Sequence, residues 1–334
     1  MTELATLLER LRNTPAMDAK RAVQQAARTV LTPSAGLDDP YALPGDDTAA
    51  VRCGDHYQLL AIEGMLPAFV AKAPWFAGWS AVMANVSDIA AMGGRATAVV
   101  NAYWHHDVSA AAEVLRGIRD ACERYGLLLA GGHTSLTRGN PTALAVAITG
   151  IARKLLSTLH VKPGQLLATV VDLDGQWHPG TAYWKAFEHK DAGHLRRQLE
   201  LLPQLAEDGL LLAARDISNA GLLGSLLMLL EATGCGARID LDALPRPGDG
   251  DLERWLLAFP SFGFLLTLDE VHWPAVRDRF ASERLAVAAI GRIDASGRLE
   301  VGVGTEIAEF WDFAQAPFTG LSAPISSLHH HEVH

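Results

Sequence analysis

The sequence predicts an α/β protein built from two tandem α/β sandwich domains. Three observations carry that prediction. A chain of 334 residues is long for a single core. Segments of helical period alternate with short apolar runs along most of it. A crossing at 153–167, "RKLLSTLHVKPGQLL", separates two such alternating stretches.

Apolar positions recur at helical spacing over 3–12 and 18–30, which predicts a helical extension at 1–35. The stretch "TPSAGLDDPYALPGDD" reads as loop from its Pro, Gly and Asp content. In the first domain, 36–153, strand "YQLLAI" precedes a helix over 75–92 and strand "TAVVNAYW". A helix over 109–125 places Leu115, Ile118, Cys122 and Tyr125 on one face, and strands "GLLLAG" and "TALAVAITGIA" close the unit. The second domain, 160–315, is expected from strand "QLLATVV", a Leu-rich helix near 193–206, strand "LLLAAR" and a helix over 219–233. Strand "FGFLLTL", a helix over 271–282 and strand "AVAAIGRI" follow, and 316–334 reads as a tail. No short-period repeat is visible.

Composition narrows the function. With 49% hydrophobic and 20% charged residues and a net charge of −10, the chain offers no general attraction to nucleic acid or an anionic membrane. An anionic ligand must be held locally. Three scattered cysteines without CxxC spacing, Cys53, Cys122 and Cys235, indicate free thiols in a reducing cytoplasm. The N-terminus has no signal-peptide core, and the longest apolar run, about 220–230, is too short to cross a bilayer.

The chemistry concentrates in carboxylates. In "NVSDIAAMGGRA", Asp88 sits among small apolar residues, where an unpaired charge costs several kcal/mol. Asp46 and Asp47 in "PGDDTAAV", Glu63 in "LLAIEGMLP" and Asp216 in "AARDISNAG" stand at predicted element ends. Carboxylates converging from separate elements suit a hard cation such as magnesium that bridges nucleotide phosphates. Singly, each has a structural explanation: a turn or cap for Asp46 and Asp47, a strand-end charge for Glu63, an N-cap for Asp216.

Glycine-rich points at Gly93-Gly94 and Gly131-Gly132 let backbone approach a phosphate, although neither is a Walker or GxGxxG motif. His133 follows the second pair directly after an apolar strand, and both a structural and a functional role are open to it. There is no GxSxG elbow and no HExxH, and the strand-end pair His105-His106 is expected to point to opposite faces, a poor chelating geometry. Trp177, His178, Trp184 and His189 are candidates to line a substrate pocket or to pack within their own domain. Arg95 is a candidate phosphate contact whose more usual fate is a surface ion pair.

Taken together, "GDDTAAV", "NVSDIAAMGGRATAVVNA", "LLAGGHTS", "PTALAVAITGIA", "KPGQLLATV" and "ARDISNAGLLGSLLMLLEATGCGARIDLDALP" resemble a known superfamily. It contains aminoimidazole ribonucleotide (AIR) synthetase, selenophosphate synthetase, thiamine-monophosphate kinase and a hydrogenase maturation factor. The resemblance covers most of 44–245, and the "SDIAAMGG", "GGHT" and "GLLGSLLMLLEATG" segments look most like selenophosphate synthetase.

The resemblance implies ATP and Mg2+ as cofactors. Asp88 would bind magnesium bridging the ATP phosphates, with Asp46 or Asp47, Asp216 from the second domain, and Glu63 where the family has a strand-end aspartate. Asn85 stands one helical turn before Asp88, and Gly93, Gly94, Gly131, Gly132 and Thr134 are the remaining nucleotide candidates. His133 and Asn219 are the catalytic candidates. The family fold implies a homodimer whose N-terminal halves pair into a β-barrel.

The departures are specific. No cysteine precedes Cys53, and Lys20 falls in a predicted helix, so the reactive N-terminal segment of selenophosphate synthetases is missing. His133 and Asn219 stand where thiamine-monophosphate kinases carry aspartates. The expectation is an ATP- and magnesium-dependent phosphoryl transfer to a small molecule, or ATP-driven activation of one. The alternatives are a thiamine-monophosphate kinase and a nucleotide-binding partner subunit without chemistry of its own.

Overall fold

The computed structural model describes residues 2–30, 45–139, 141–248 and 251–322, with 27–30 described by their backbone alone. Most of the expected loop before Asp46, the boundary at 35–36 and the His-rich end "LHHHEVH" lie outside the described residues. Two helices open the chain, α1 (Glu3–Arg12) and α2 (Pro15–Val30). Thr2 caps α1 by accepting from the Ala5 amide.

The described chain divides into two α/β units, one of residues 47–155 with 189–204, the other of 1–46, 156–188 and 205–334. The first unit holds β1 (Ala49–Cys53), β2 (His56–Met65), α3 (Pro67–Lys72), α4 (Pro74–Ala91), β3 (Arg95–His105), α5 (Val108–Tyr125), β4 (Leu128–Leu136) and β5 (Ala143–Ala152). Its sheet runs β1-β2-β5-β3-β4, antiparallel except for β3 beside β4. That parallel pair needs a crossover, which α5 supplies.

Helices α4 and α5 cover one face of this sheet. Helix α4, "PWFAGWSAVMANVSDIAA", is buried on every side from Phe76 to Ala91, and its small residues allow close approach. A Cβ on Gly78 would stand 2.1 Å from the Val114 carbonyl oxygen, and one on Gly117 would stand 2.0 Å from that of Trp75. Only glycine admits the two backbones at that distance.

The second unit is built on seven strands in the order β15-β14-β10-β13-β6-β12-β9. These are β6 (Leu166–Val171), β9 (Ala213–Asp216), β10 (Gly236–Asp240), β12 (Gly263–Leu268), β13 (Ala286–Asp294), β14 (Arg298–Val303) and β15 (Glu306–Asp312). A small sheet of β7 (Gln176–Trp177), β8 (Tyr183–Lys185) and β11 (Phe259–Pro260) sits in the same unit. Helices α7 (Gly221–Glu231), α8 (Leu252–Leu256) and α9 (Trp273–Ser282) complete it, while α6 (Ala192–Glu207) places most of its length in the first unit. Leu4, Leu8, Leu11 and Met17 of the opening helices join one core with Ile217, Leu223, Leu226 and Phe318. The N-terminal helices are therefore part of this unit's packing.

The two-domain α/β class read from the sequence is the class found. Strands β1, β10, β14 and β15 go beyond the elements read from it, because short strands with Arg, Gly or alternating charge give little periodic signal. Helix α7 starts at Gly221, two residues later than expected, which leaves Asn219 in the preceding loop. No helix among the described residues is long and apolar enough to cross a membrane.

Candidate functional site

Asp88 lies in the last turn of α4 and is 8% exposed. The carbonyl end of a helix repels a negative charge, and the last turn of α4 has no basic residue. A buried carboxylate in that position is suited to a cation. Asp47, in the turn before β1, brings a carboxylate oxygen within 4.8 Å of one on Asp88. Among the described residues, no third His, Cys, Asp or Glu of this unit joins the pair.

The neighbouring Asp46 is engaged elsewhere. Its Oδ2 accepts from Ser157 Oγ at 2.5 Å and from the Thr158 amide at 3.2 Å. It thereby braces the short 3-10 turn Thr158–His160. Glu63 lies within β2, directly across from Val146, on the face of the strand that carries the buried Leu59. Asp216 closes β9 and is 4% exposed, and α7 is capped by Ala220 rather than by Asp216.

Asn85 is fully buried and structural in its contacts. Its Nδ2 donates to the Ala81 carbonyl at 2.7 Å and to the Val146 carbonyl at 2.8 Å, pinning α4 to β5 one turn before Asp88. Gly93 and Gly94 also have a local task. The Gly93 amide donates to Ala90 O and the Gly94 amide to Ile89 O, both at 2.9 Å. With φ of +74° at Gly93, this is a Schellman end for α4, so both N–H groups are already used.

Gly131 and Gly132 sit at a register shift where edge strand β4 meets β3, with φ of +120° and +153°. A Cβ on Gly132 would fall 2.1 Å from the Asn101 carbonyl oxygen, whereas Gly131 faces open space. His133 and Thr134 follow. The exposed His133 ring packs at 5.4 Å from Trp104, and Thr134 Oγ1 accepts from Asn101 Nδ2 at 3.4 Å.

Three sequence expectations change or narrow here. His105 and His106 do not diverge: β3 ends at His105, alternation stops, and the two rings stack at 4.6 Å. His105 Nδ1 lies 2.9 Å from the Asp107 amide, which donates to it, so that nitrogen is committed to a local turn. Arg95 pairs with Glu200 through Nε and Nη2 at 2.9 and 2.7 Å. Trp184 is buried against Trp177 and Trp255, and the Arg254 guanidinium lies 3.9 Å over Trp177, so these aromatics pack their own lobe.

The profile for the N-terminal domain of AIR synthase related proteins matches residues 45–152, and that for the C-terminal domain matches 166–304. The chain belongs to the AIR synthase-related family. An uncharacterised protein of Synechocystis sp. is 39% identical over 96% of this chain and 99% of its own length. A selenide, water dikinase of Aeromonas hydrophila is 31% identical over 63% of this chain and 64% of its own. Among solved structures, Thermotoga maritima PurL complexed with ATP superposes with a TM-score of 0.69 at 18% identity over 84% of this chain, a likeness of fold. The chain spans 47% of that PurL. AIR synthase-related proteins thus share this chain's two-domain architecture, and the relatives include ATP-using enzymes.

Proposed function

We propose that this AIR synthase-related protein is an ATP- and magnesium-dependent enzyme. It transfers a phosphoryl group to a small molecule, or uses one to activate an amide or carboxylate oxygen for displacement. The observation that carries this reading is the Asp47–Asp88 pair, with Asp88 buried at the negative end of α4. Two carboxylate oxygens that close, one of them desolvated, suit a hard cation with oxygen ligands.

Asp47 and Asp88 would hold magnesium, and Asp216 carries the same assignment in its own unit. When bound, the ion neutralises phosphate charge, which is the main requirement of phosphoryl transfer. The chain's residues supply position. Asn85 fixes α4 against β5, the Gly93-Gly94 turn stops the helix just beyond Asp88, and Asp46 braces the turn that presents Asp47. On the edge strand, Gly131 and Gly132 leave backbone exposed beside His133, the residue this reading assigns to the transferred group.

A thiamine-monophosphate kinase is the weaker reading, since His133 and Asn219 replace two carboxylates and remove up to two negative charges from the acceptor side. A nucleotide-binding subunit without turnover is the rival from another class. Magnesium-dependent ATP binding by calorimetry, with the native protein and Asp88→Asn compared, tests the proposal. Binding by the native protein, and its loss in a folded variant, supports the reading. Absence of binding by the native protein refutes it, and binding without phosphate release in a substrate screen favours the partner-subunit reading.

The same fold reading proposes a homodimer. Val51, Leu60, Ile62, Val100 and Ile151 lie on the sheet face opposite α4 and α5, with Ile62 68% and Leu60 46% exposed. A contiguous apolar face of this kind is an interaction surface, and a second copy is the proposed occupant. Sedimentation of a monomer at micromolar concentration would count against it.

A further inference from the structure

Glu231 ends helix α7 and is 4% exposed. A carboxylate so placed must find donors within the protein. It finds four, all from one short stretch. Oε1 accepts from the Phe318 and Gly320 amides at 2.7 and 3.1 Å. Oε2 accepts from the Thr319 amide at 2.8 Å and from Thr319 Oγ1 at 2.6 Å.

From α2, Gln24 Nε2 donates to the Pro317 and Phe318 carbonyls at 2.9 and 3.0 Å. Two side chains thus satisfy the backbone of a segment that lies in no strand or helix. Phe318 is fully buried and meets Trp311 edge-on at 5.4 Å, anchoring the segment in the core.

The segment ends on Leu321, which it sets against Gly45. A Cβ on Gly45 would stand 2.5 Å from Leu321 Cδ1, and Gly45 has φ of +102°. Gly45 is the residue before Asp46 and Asp47, and 45–48 belongs to no regular element. The turn is therefore gripped twice, at Asp46 by Ser157 and at Gly45 by Leu321. The strap itself lies beyond residue 304, where the match to the C-terminal family domain ends.

We propose that residues 317–321 are a clamp that fixes the Gly45–Asp47 turn for cation binding, with Glu231 as its positioning residue. The proposal rests on the metal–phosphate reading above. A turn held by the fold pays its ordering cost during folding, so that cost is not taken from the binding energy of the ion. Loosening the clamp weakens magnesium and leaves the nucleotide contacts in place.

The test pairs Glu231→Gln, which puts a donor against backbone donors, with Leu321→Ala, which removes only the contact on Gly45. Calorimetric ATP titrations at a series of Mg2+ concentrations give the half-saturating Mg2+, and amide exchange at 45–48 reports the turn directly. The expected result is a rise in half-saturating Mg2+ of roughly 10-fold for Glu231→Gln and roughly 3-fold for Leu321→Ala. ATP affinity at saturating Mg2+ stays unchanged, and exchange at 45–48 is faster. Unchanged Mg2+ dependence and unchanged exchange at 45–48 in Leu321→Ala would overturn the clamp, even if Glu231→Gln fails to fold. If the native protein binds no Mg-ATP, the underlying reading fails, and exchange at 45–48 still decides whether the strap holds the turn.

Discussion

The two faces of the five-stranded sheet make an instructive contrast. One is sealed by α4 and α5, with helix backbones so close that Gly78 and Gly117 are the only residues that fit. The other presents Val51, Leu60, Ile62, Val100 and Ile151 to solvent, with no helix over it among the described residues. Both faces are apolar, so hydrophobicity alone does not separate a core from an interface. What separates them is the size of the side chains on the covering element, and whether the chain supplies such an element at all.

The largest expected effect lies on the sealed face. Gly117→Ala pushes a methyl into the Trp75 carbonyl and should destabilise the first unit by about 3 kcal/mol, read as a shift in denaturant midpoint. A neutral result would mean that the helices separate easily.

Next comes Asp88→Asn, at the end of the same buried helix. Magnesium plus ATP at about 100 times Kd should stabilise the native protein by about 2.7 kcal/mol, and chelation of the metal should abolish this. The variant should show no such gain. A gain in the variant equal to that of the native protein would show that Asp88 does not hold the ion.

On the bare face, Ile62→Lys should convert a dimer to a monomer in sedimentation while changing monomer stability by less than about 0.5 kcal/mol. A large loss of monomer stability would make the two faces alike. The smallest effect is expected at Arg95→Ala. Its ion pair with Glu200 is more than a third exposed on both sides, so the loss should stay below about 1 kcal/mol.

The sequence was most legible where one pattern had one physical meaning. Asp88 among "NVSDIAAMGG" announced a buried carboxylate near a helix end, and its placement follows from the helical run and the glycines that stop it. The same glycines were read as backbone open to a phosphate, yet at Gly93-Gly94 that backbone terminates the helix. A glycine pair signals conformational freedom and does not say what uses it. His105 and His106 were read by strand alternation, which fails where a strand ends between the two. Glu231 lay inside a quoted motif without being singled out, because its four donors come from a segment more than eighty residues away.

By itself the sequence determined the α/β class, the two-domain organisation, the net negative charge and the set of carboxylates from which the proposed cation site is drawn. Those properties follow from period, length, charge and residue type, all local or additive along the chain. Only the tertiary structure set Asp46 and Asp47 apart in their contacts. They are adjacent in sequence and identical in chemistry, and what separates them is that Ser157 and Thr158 fold back onto one, while α4 brings Asp88 to the other. Such a choice depends on contacts between residues distant along the chain, which periodicity cannot encode.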